Sequence, residues 1–152
     1  MLKKHILYMR EALKEAKVAF SEEEVPVGAV IVYQGKIIAR AHNQVERLKD
    51  PTAHAEMIAL TSAANFLKTK WLNQASAYVT IEPCSMCAGA LVLARVKDLY
   101  FGAKDPKTGA CGSITNIVKH KKLNHRLKVK GGVLKEECSS LLKEFFKKKR
   151  VK

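Results

Sequence analysis

The sequence contains no long apolar run. No stretch approaches the roughly 18 consecutive apolar residues that identify a membrane-spanning helix. Its opening stretch, MLKKHILYMREALKEAK, carries charged residues throughout and lacks the apolar segment of a secretory signal. These absences argue against membrane-spanning and secreted classes of protein, and they predict a cytoplasmic protein that has no membrane partner.

Cysteine is also scarce, with 4 among 152 residues. A chain of this length can bury a hydrophobic core without disulfide cross-links. In a reducing cytoplasm, two closely spaced thiols indicate metal or redox chemistry more often than a disulfide. The cysteines are therefore candidates for chemistry, and Cys84 and Cys87 are the pair that lie close together in the sequence.

Acidic residues are outnumbered two to one by basic ones. There are 14 Asp plus Glu against 28 Lys plus Arg, which gives a formal net charge of +14 at pH 7. Residues 1–96 carry a net charge of +3, and residues 97–152 carry a net charge of +11. A basic second half favours a polyanionic partner, most simply a nucleic acid. The alternative is a solvated, lysine-rich surface without such a partner.

Apolar periodicity predicts helices that alternate with strands. The clearest helix is residues 2–20, where apolar residues recur at steps of 4 and 3 and so form one stripe. Further helices are predicted over about 54–68, 84–95 and 133–150, and strands over 27–33, 36–40, 75–81 and 97–101. The acidic run 22–24 is predicted to be a solvated loop, 42–52 and 102–113 are predicted loops, and the pattern is vague from there to about 133. The alternation predicts an α/β layer architecture, and no repeat, low-complexity linker or domain boundary interrupts it.

Cys84 and Cys87 stand at the start of a predicted helix. Their spacing of three residues places both sulfur atoms on one helix face. The partial positive charge of a helix N-terminus favours thiolates over thiols. The pair is therefore suited to hold a soft cation.

A second predicted helix start carries Thr52-Ala-His54-Ala-Glu56. Residues two apart in a regular helix point in nearly opposite directions, so His54 and Glu56 can share a target only if it lies over the helix end. His54, Cys84 and Cys87 together supply three ligands of the kinds that zinc prefers. Three protein ligands and one open position for water are the arrangement of a catalytic zinc site. Glu56 is the candidate for moving protons to and from that water.

Two other interpretations of the cysteine pair are open. A thioredoxin-like redox pair has the same spacing, but it does not require His-Ala-Glu upstream. A structural zinc finger would use His120 and His125, yet 32 residues separate Cys87 from His120, against about 12–15 in a finger. Cys111 and Cys138 are predicted to be a small loop residue and a filler of the helix core.

The sequence resembles the bacterial tRNA adenosine deaminases, a family of the cytidine/deoxycytidylate deaminase superfamily. The combination of His-Ala-Glu with Pro-Cys-x-x-Cys is the signature of the zinc deaminases. The similarity to this family covers about residues 1–150 and is carried by longer segments: EVPVGAVIV at 24–32, HN at 42–43, DPTAHAE at 50–56, YVTIEPCSMCAGA at 78–90, FGAKDPKTGACGS at 101–113 and NHR at 124–126.

The resemblance implies a single zinc-dependent deaminase domain over residues 1–152, with a basic C-terminal helix at about 133–150. Its fold would be a cytidine-deaminase-like three-layer α/β/α sandwich around a mixed five-stranded sheet. The protein would be a homodimer with one Zn²⁺ per subunit on His54, Cys84 and Cys87, and Glu56 as the catalytic residue. The implied reaction is hydrolytic deamination of the wobble adenosine in a tRNA anticodon stem-loop, which gives inosine and ammonia.

Further residues match substrate-binding positions of the family. Asn43 falls where the family holds the target nucleoside, Asp105 and Lys107 match a loop that lines the RNA path, and Lys147–Arg150 would contact phosphates. The alternatives are an Asn that stabilises a turn, an ordinary Asp-Pro-Lys-Thr-Gly turn and a solvated helix end.

Two other functions are consistent with the same motifs. One is deamination of a free nucleobase or nucleoside, such as guanine or cytosine, on the same scaffold. The other is a non-catalytic, zinc-stabilised RNA-binding module. The charge of +11 in one half argues against a small uncharged substrate, and Glu56 argues against a purely structural zinc site because such a site needs no general base.

Overall fold

The structure, a computed structural model, describes residues 2–151, and the side chains of residues 2–150. The helices are α1 Lys3–Ser21, α2 Val45–Leu48, α3 Ala55–Leu67, α4 Ser85–Leu93 and α5 Lys135–Val151, with a 3₁₀ turn at Ile117–Lys119. The strands are β1 Gly28–Tyr33, β2 Lys36–His42, β3 Ser76–Ile81, β4 Asp98–Ala103 and β5 Lys128–Lys130. None of these helices has the length and apolar character needed to cross a membrane.

The five strands form one mixed sheet in the order β2-β1-β3-β4-β5. β1 pairs antiparallel with both β2 and β3, whereas β3 with β4 and β4 with β5 are parallel pairs. Helices α1 and α5 pack on one face of the sheet, and α3 and α4 cover the other. The mixed five-stranded sheet and the three-layer α/β/α arrangement expected from the sequence are confirmed.

Successive side chains of β1 point to opposite faces of the sheet, and both sets are apolar and covered by helices. Val30 and Val32 belong to the apolar cluster beneath α1 and α5, and Ala29 and Ile31 belong to the larger cluster beneath α3 and α4. A strand buried on both faces has apolar residues at consecutive positions. Helix α1 packs directly against Gly28, the first residue of this strand. Only glycine fits there, because a Cβ at this position would overlap the backbone of Ala12 and Ala16.

Two short elements differ from the sequence prediction. The predicted loop 42–52 contains α2, and the region without a clear pattern contains β5. α2 has four residues, fewer than the two helical turns that a 3.6-residue period needs to be recognised. β5 has three residues, of which only Val129 is apolar, so it presents no recognisable strand pattern.

Candidate active site

The N-termini of α3 and α4 meet at the carboxyl end of β3. His54 is the N-cap residue of α3, and Cys84 is the N-cap residue of α4. Both have extended backbone conformations, with φ −73° and ψ 150° at His54 and φ −75° and ψ 178° at Cys84. Because His54 lies outside the regular helix, the constraint that separates residues two apart does not apply to it, and it can face the same region as Glu56.

The structure brings His54, Cys84 and Cys87 together. The Nδ1 atom of His54 lies 3.6 Å from the Sγ atom of Cys84 and 3.5 Å from the Sγ atom of Cys87. All three donor atoms lie within 4.8 Å of one another. A tetrahedral zinc site with the usual Zn–N and Zn–S bond lengths requires N···S separations of about 3.6 Å. The two N···S distances therefore match the separation that zinc requires.

The two thiols of this trio are not equivalent. A hydrogen bond from the Cys87 thiol, with a further contribution from His54, lowers the pKa of Cys84 to about 4. The same bond, together with burial, raises the pKa of Cys87 above its ordinary value. The pKa of His54 is raised, chiefly by its hydrogen bond to Cys84. Cys84 is therefore a thiolate at neutral pH, and a bound cation has to displace the proton of Cys87.

Glu56 lies in the first turn of α3, and the residue is only 4% exposed. Burial disfavours the charged form of the carboxyl group and raises the pKa of Glu56 to about 6. A carboxyl group with a pKa close to neutrality can both accept and donate a proton, as a general acid and base must do.

A cavity of about 360 Å³ opens over these residues. His54, Glu56 and Cys84 contribute to its lining, and Val27 and Ile81 supply apolar surface. Ligand-binding cavities commonly have volumes of roughly 300–1,000 Å³ and combine apolar walls with a few polar groups. The cavity therefore has the size and the mixed lining of a small-ligand site, and it lies over His54 and Cys84 of the trio.

Asn43 and Asp105, for which substrate binding is predicted, also line this cavity. Asn43 is buried, and its side chain donates to Val25 O and accepts from Val45 N, each at 3.2 Å. These contacts stabilise the turn. They use one N–H of the Asn43 amide, so its second N–H can still donate a hydrogen bond to a ligand. Asp105 accepts hydrogen bonds from the backbone N–H groups of Lys107 and Thr108 and from the Thr108 hydroxyl, as in an ordinary turn.

Lys107 does not line the cavity. It borders a separate depression of about 640 Å³ that lies between the loop after β4 and helix α5. The basic side chains along this depression are Lys104, Lys107, Lys143, Lys149 and Arg150. Lys149 also lines the cavity, so the basic depression and the cavity adjoin. We call this depression the basic groove.

Glu24 is a buried carboxylate of the cavity wall that the sequence interpretation missed. The prediction that residues 22–24 form a solvated loop is wrong for Glu24, which is 1% exposed. Its two carboxylate oxygens accept hydrogen bonds from the backbone N–H groups of Glu46 and Arg47, at 2.9 Å and 2.7 Å. Glu24 therefore caps α2 and fixes this helix against the cavity.

Glu82 has the same role for the loop on the other side of the cavity. It is 2% exposed and accepts hydrogen bonds from the backbone N–H groups of Asp105, Cys111 and Ser113 and from the Ser113 hydroxyl. Burial alone would raise the pKa of Glu82, but these hydrogen bonds outweigh it and the pKa is lowered. In the sequence, the role of Glu82 is indicated only by its position two residues before Cys84.

The Glu82→Gln variant is expected to lower the free energy of unfolding by about 2–3 kcal/mol, because an amide N–H₂ would replace one oxygen that faces only donors. Urea denaturation of the protein as purified measures this change. The control is Glu144→Gln, which removes an exposed carboxylate of α5 and should change stability by less than about 0.5 kcal/mol. Equal stability of the two variants would contradict the role of Glu82.

Comparison with known proteins connects this geometry to a family. The MafB19-like deaminase family matches residues 3–150. A tRNA-specific adenosine deaminase of Bacillus subtilis (strain 168) is 51% identical over 146 residues, which are 96% of this chain and 91% of that protein. The tRNA-specific adenosine deaminase of Aquifex aeolicus (strain VF5) is 54% identical over 143 residues, 94% of each chain.

A solved structure from work on A-to-I editing by tRNA:A34 deaminases at the wobble position of transfer RNA has the same fold. It matches with a TM-score of 0.87 and 41% sequence identity, over 90% of this chain and 99% of that chain.

Proposed function

The chain belongs to the family of tRNA-specific adenosine deaminases, among the MafB19-like deaminases, and we propose that it hydrolyses the wobble adenosine of a tRNA anticodon to inosine and ammonia. The observation that carries this proposal is the His54, Cys84 and Cys87 trio with N···S distances of 3.5–3.6 Å, beside the buried Glu56. Such a site combines three metal ligands with a general acid and base, which is what hydrolytic deamination requires.

The deaminase superfamily depends on zinc, and His54, Cys84 and Cys87 form a group that could hold a metal ion. We propose that each subunit binds one Zn²⁺ through these three residues. When bound, zinc supplies a water molecule that is activated for attack near neutral pH.

Glu56 transfers the protons of the reaction. Its carboxylate accepts a proton from the attacking water and delivers a proton to N1 of the adenine ring, which prepares C6 for attack. It then takes the remaining proton from the hydroxyl group newly bound to C6 and passes it to the departing amine, so that the C6–N bond breaks and the C6 carbonyl forms. The sum is adenosine plus water giving inosine plus ammonia, so atoms and protons balance.

The remaining cavity residues position the base. Asn43 and Asp105 border the cavity in which the adenine would lie. A base in a single-stranded anticodon loop costs less free energy to extrude than a base in a duplex, so the wobble nucleotide can enter this cavity more readily than a paired base. Lys107, with the basic side chains of the groove, lies where phosphates of the same loop would pass. In this proposal, tRNA contributes a base to the cavity and phosphates to the groove.

A homodimer in the cytoplasm, where tRNA is found, completes the proposal. At the helix end opposite Cys84, α4 exposes Leu93 to 79%, and the loop before the 3₁₀ turn exposes Ile114 to 62%. A second copy of the chain would remove these apolar side chains from water.

Comparing four substrates tests the proposed function. Mass analysis of nucleosides should find inosine formed from tRNA and from its anticodon stem-loop, and no product from free adenosine or guanine at matched concentrations. Faster conversion of free guanine than of tRNA would replace the proposal with deamination of a free nucleobase.

Binding of tRNA is expected to depend steeply on salt, because phosphates bound by Lys and Arg release counterions. With three or more phosphate contacts along the basic groove, affinity should fall about tenfold or more between 50 and 200 mM salt. Filter binding or fluorescence anisotropy with catalytically inactive protein measures the slope. A flat response would count against phosphate binding.

A further inference from the structure

Residues 119–130, with the sequence KHKKLNHRLKVK, are a second strongly basic surface that the proposed catalytic site does not use. The segment contains no acidic residue and six basic side chains, all exposed: Lys119, Lys121, Lys122, Arg126, Lys128 and Lys130. We call these six side chains the edge cluster. They supply more than half of the net charge of +11 carried by residues 97–152.

The part of the edge cluster around Lys128 lies at the opposite end of the sheet from the cavity, whereas Lys119 shares a depression with Lys104. The cluster leads into β5, the edge strand, and Lys128 is in register with Asp98, the first residue of β4. The cavity lies at the other end of the parallel strands, beyond Ile81 and Ala103. Between Asp98 and Ala103, β4 rises by about 17 Å, which exceeds the reach of a lysine side chain. One phosphate therefore cannot contact both Lys128 and the catalytic residues.

Hydrogen bonds hold the segment in a defined shape. His125 donates from Nε2 to Val96 O at 2.6 Å, which attaches the segment to the corner between α4 and β4. The guanidinium group of Arg126 donates to Lys121 O at 2.6 Å, and Leu127 N donates to Val118 O at 3.0 Å. The cations therefore extend from an ordered backbone, which reduces the entropy lost when a ligand binds.

Two alternative explanations account for only part of the cluster. Lysines on an edge strand prevent pairing with other sheets, but this applies only to Lys128 and Lys130, since the other four precede the strand. Neutralisation by nearby acids would make the cluster a set of ion pairs, yet none of its members forms an ion pair in the part of the chain that the structure describes. Asp98 faces Lys128 across the strands, and its Oδ2 atom accepts from the Ser76 hydroxyl at 3.2 Å.

We propose that the edge cluster binds tRNA phosphates outside the anticodon loop. This inference rests on the proposed function, because it requires tRNA to be the substrate. The six cations of the cluster repel one another, and a bound polyanion would reduce that repulsion. Binding also releases counterions from the polyanion, which increases the affinity. A phosphate bound at this distance from the cavity lies several nucleotides from the wobble position, in the direction of the rest of the tRNA. The edge cluster thus distinguishes whole tRNA from a short stem-loop.

The test compares two triple variants with the same net charge. Lys121→Gln/Lys122→Gln/Lys128→Gln removes half of the edge cluster, and Lys17→Gln/Lys36→Gln/Lys68→Gln removes three exposed lysines elsewhere. Steady-state kinetics are measured with whole tRNA and with a short anticodon stem-loop, at two or more salt concentrations. Matching thermal unfolding midpoints establish that both variants fold.

The edge variant should raise KM for whole tRNA by roughly tenfold, reduce the magnitude of the salt slope by about 2, and leave kcat and the stem-loop kinetics unchanged. Replacing the same three lysines by arginine should restore the wild-type values. The proposal is overturned by an equal effect of the control variant, by no effect of the edge variant, or by an equal loss on the stem-loop. The wild-type enzyme's activity on the stem-loop tests the proposed function separately.

Discussion

The Glu56→Gln variant is expected to bind zinc and tRNA like the wild type and to lose deamination by about 10²–10⁴-fold in kcat, the range that general acid–base catalysis contributes. Gln has nearly the same shape as Glu, so it fills the buried position in the first turn of α3 without a cavity. It cannot accept a proton from water or pass one to the adenine ring.

Three measurements separate the role of Glu56 from a structural one. Elemental analysis gives the zinc content, anisotropy gives the tRNA affinity, and single-turnover kinetics gives the chemical step. The control is Glu136→Gln, which removes an exposed carboxylate at the start of α5 and should leave all three unchanged. Turnover by Glu56→Gln at the wild-type rate would eliminate Glu56 as the proton carrier.

The Cys84→Ser variant is expected to lose its zinc and, with it, all measurable turnover. Cys84 is the thiolate of the trio, with a pKa of about 4, and a serine hydroxyl is a far weaker ligand at neutral pH. Loss of one of three protein ligands should lower zinc affinity by at least about 100-fold. Removing a residue that only hydrogen-bonds to a metal ligand already lowers metal affinity by about 10–100-fold. Competition with a chelator of known affinity measures the change.

The matched control is Cys111→Ser. Cys111 is buried near the site, where its Sγ lies 3.9 Å from Pro83 O, but it is outside the trio. Cys111→Ser should therefore keep zinc. A Cys84→Ser protein with one zinc per chain would remove Cys84 from the ligand set.

The candidate site residues could be proposed from the sequence because each lies in a short motif at the start of a predicted helix. Cys84 and Cys87 have the spacing of one helix face, and His54 with Glu56 begins another helix. Sequence periodicity could not show that His54 is an extended N-cap residue, which is what allows it to share a target with Glu56. The structure supplied this fact, along with the N···S distances.

The buried carboxylates could not be predicted, because their partners are distant in the sequence. Glu24 is stabilised by N–H groups of residues 46 and 47, and Glu82 by N–H groups of residues 105–113. A carboxylate in an acidic run is normally solvated, and only tertiary contacts provide the donors that compensate for its burial. Lys107 also differs from its prediction, because the local turn at 105–108 does not by itself determine which of its side chains face the cavity, and Asp105 and Thr108 do so while Lys107 does not.

Deamination of whole tRNA in oxygen-18 water tests the central claim most directly. The enzyme is incubated with its tRNA substrate, the tRNA is digested, and the wobble nucleoside is identified by mass. We expect inosine at the wobble position with one oxygen-18 atom at C6, and one ammonia released for each inosine formed. Inosine without the label, or labelled product at another position or from another base, would contradict it.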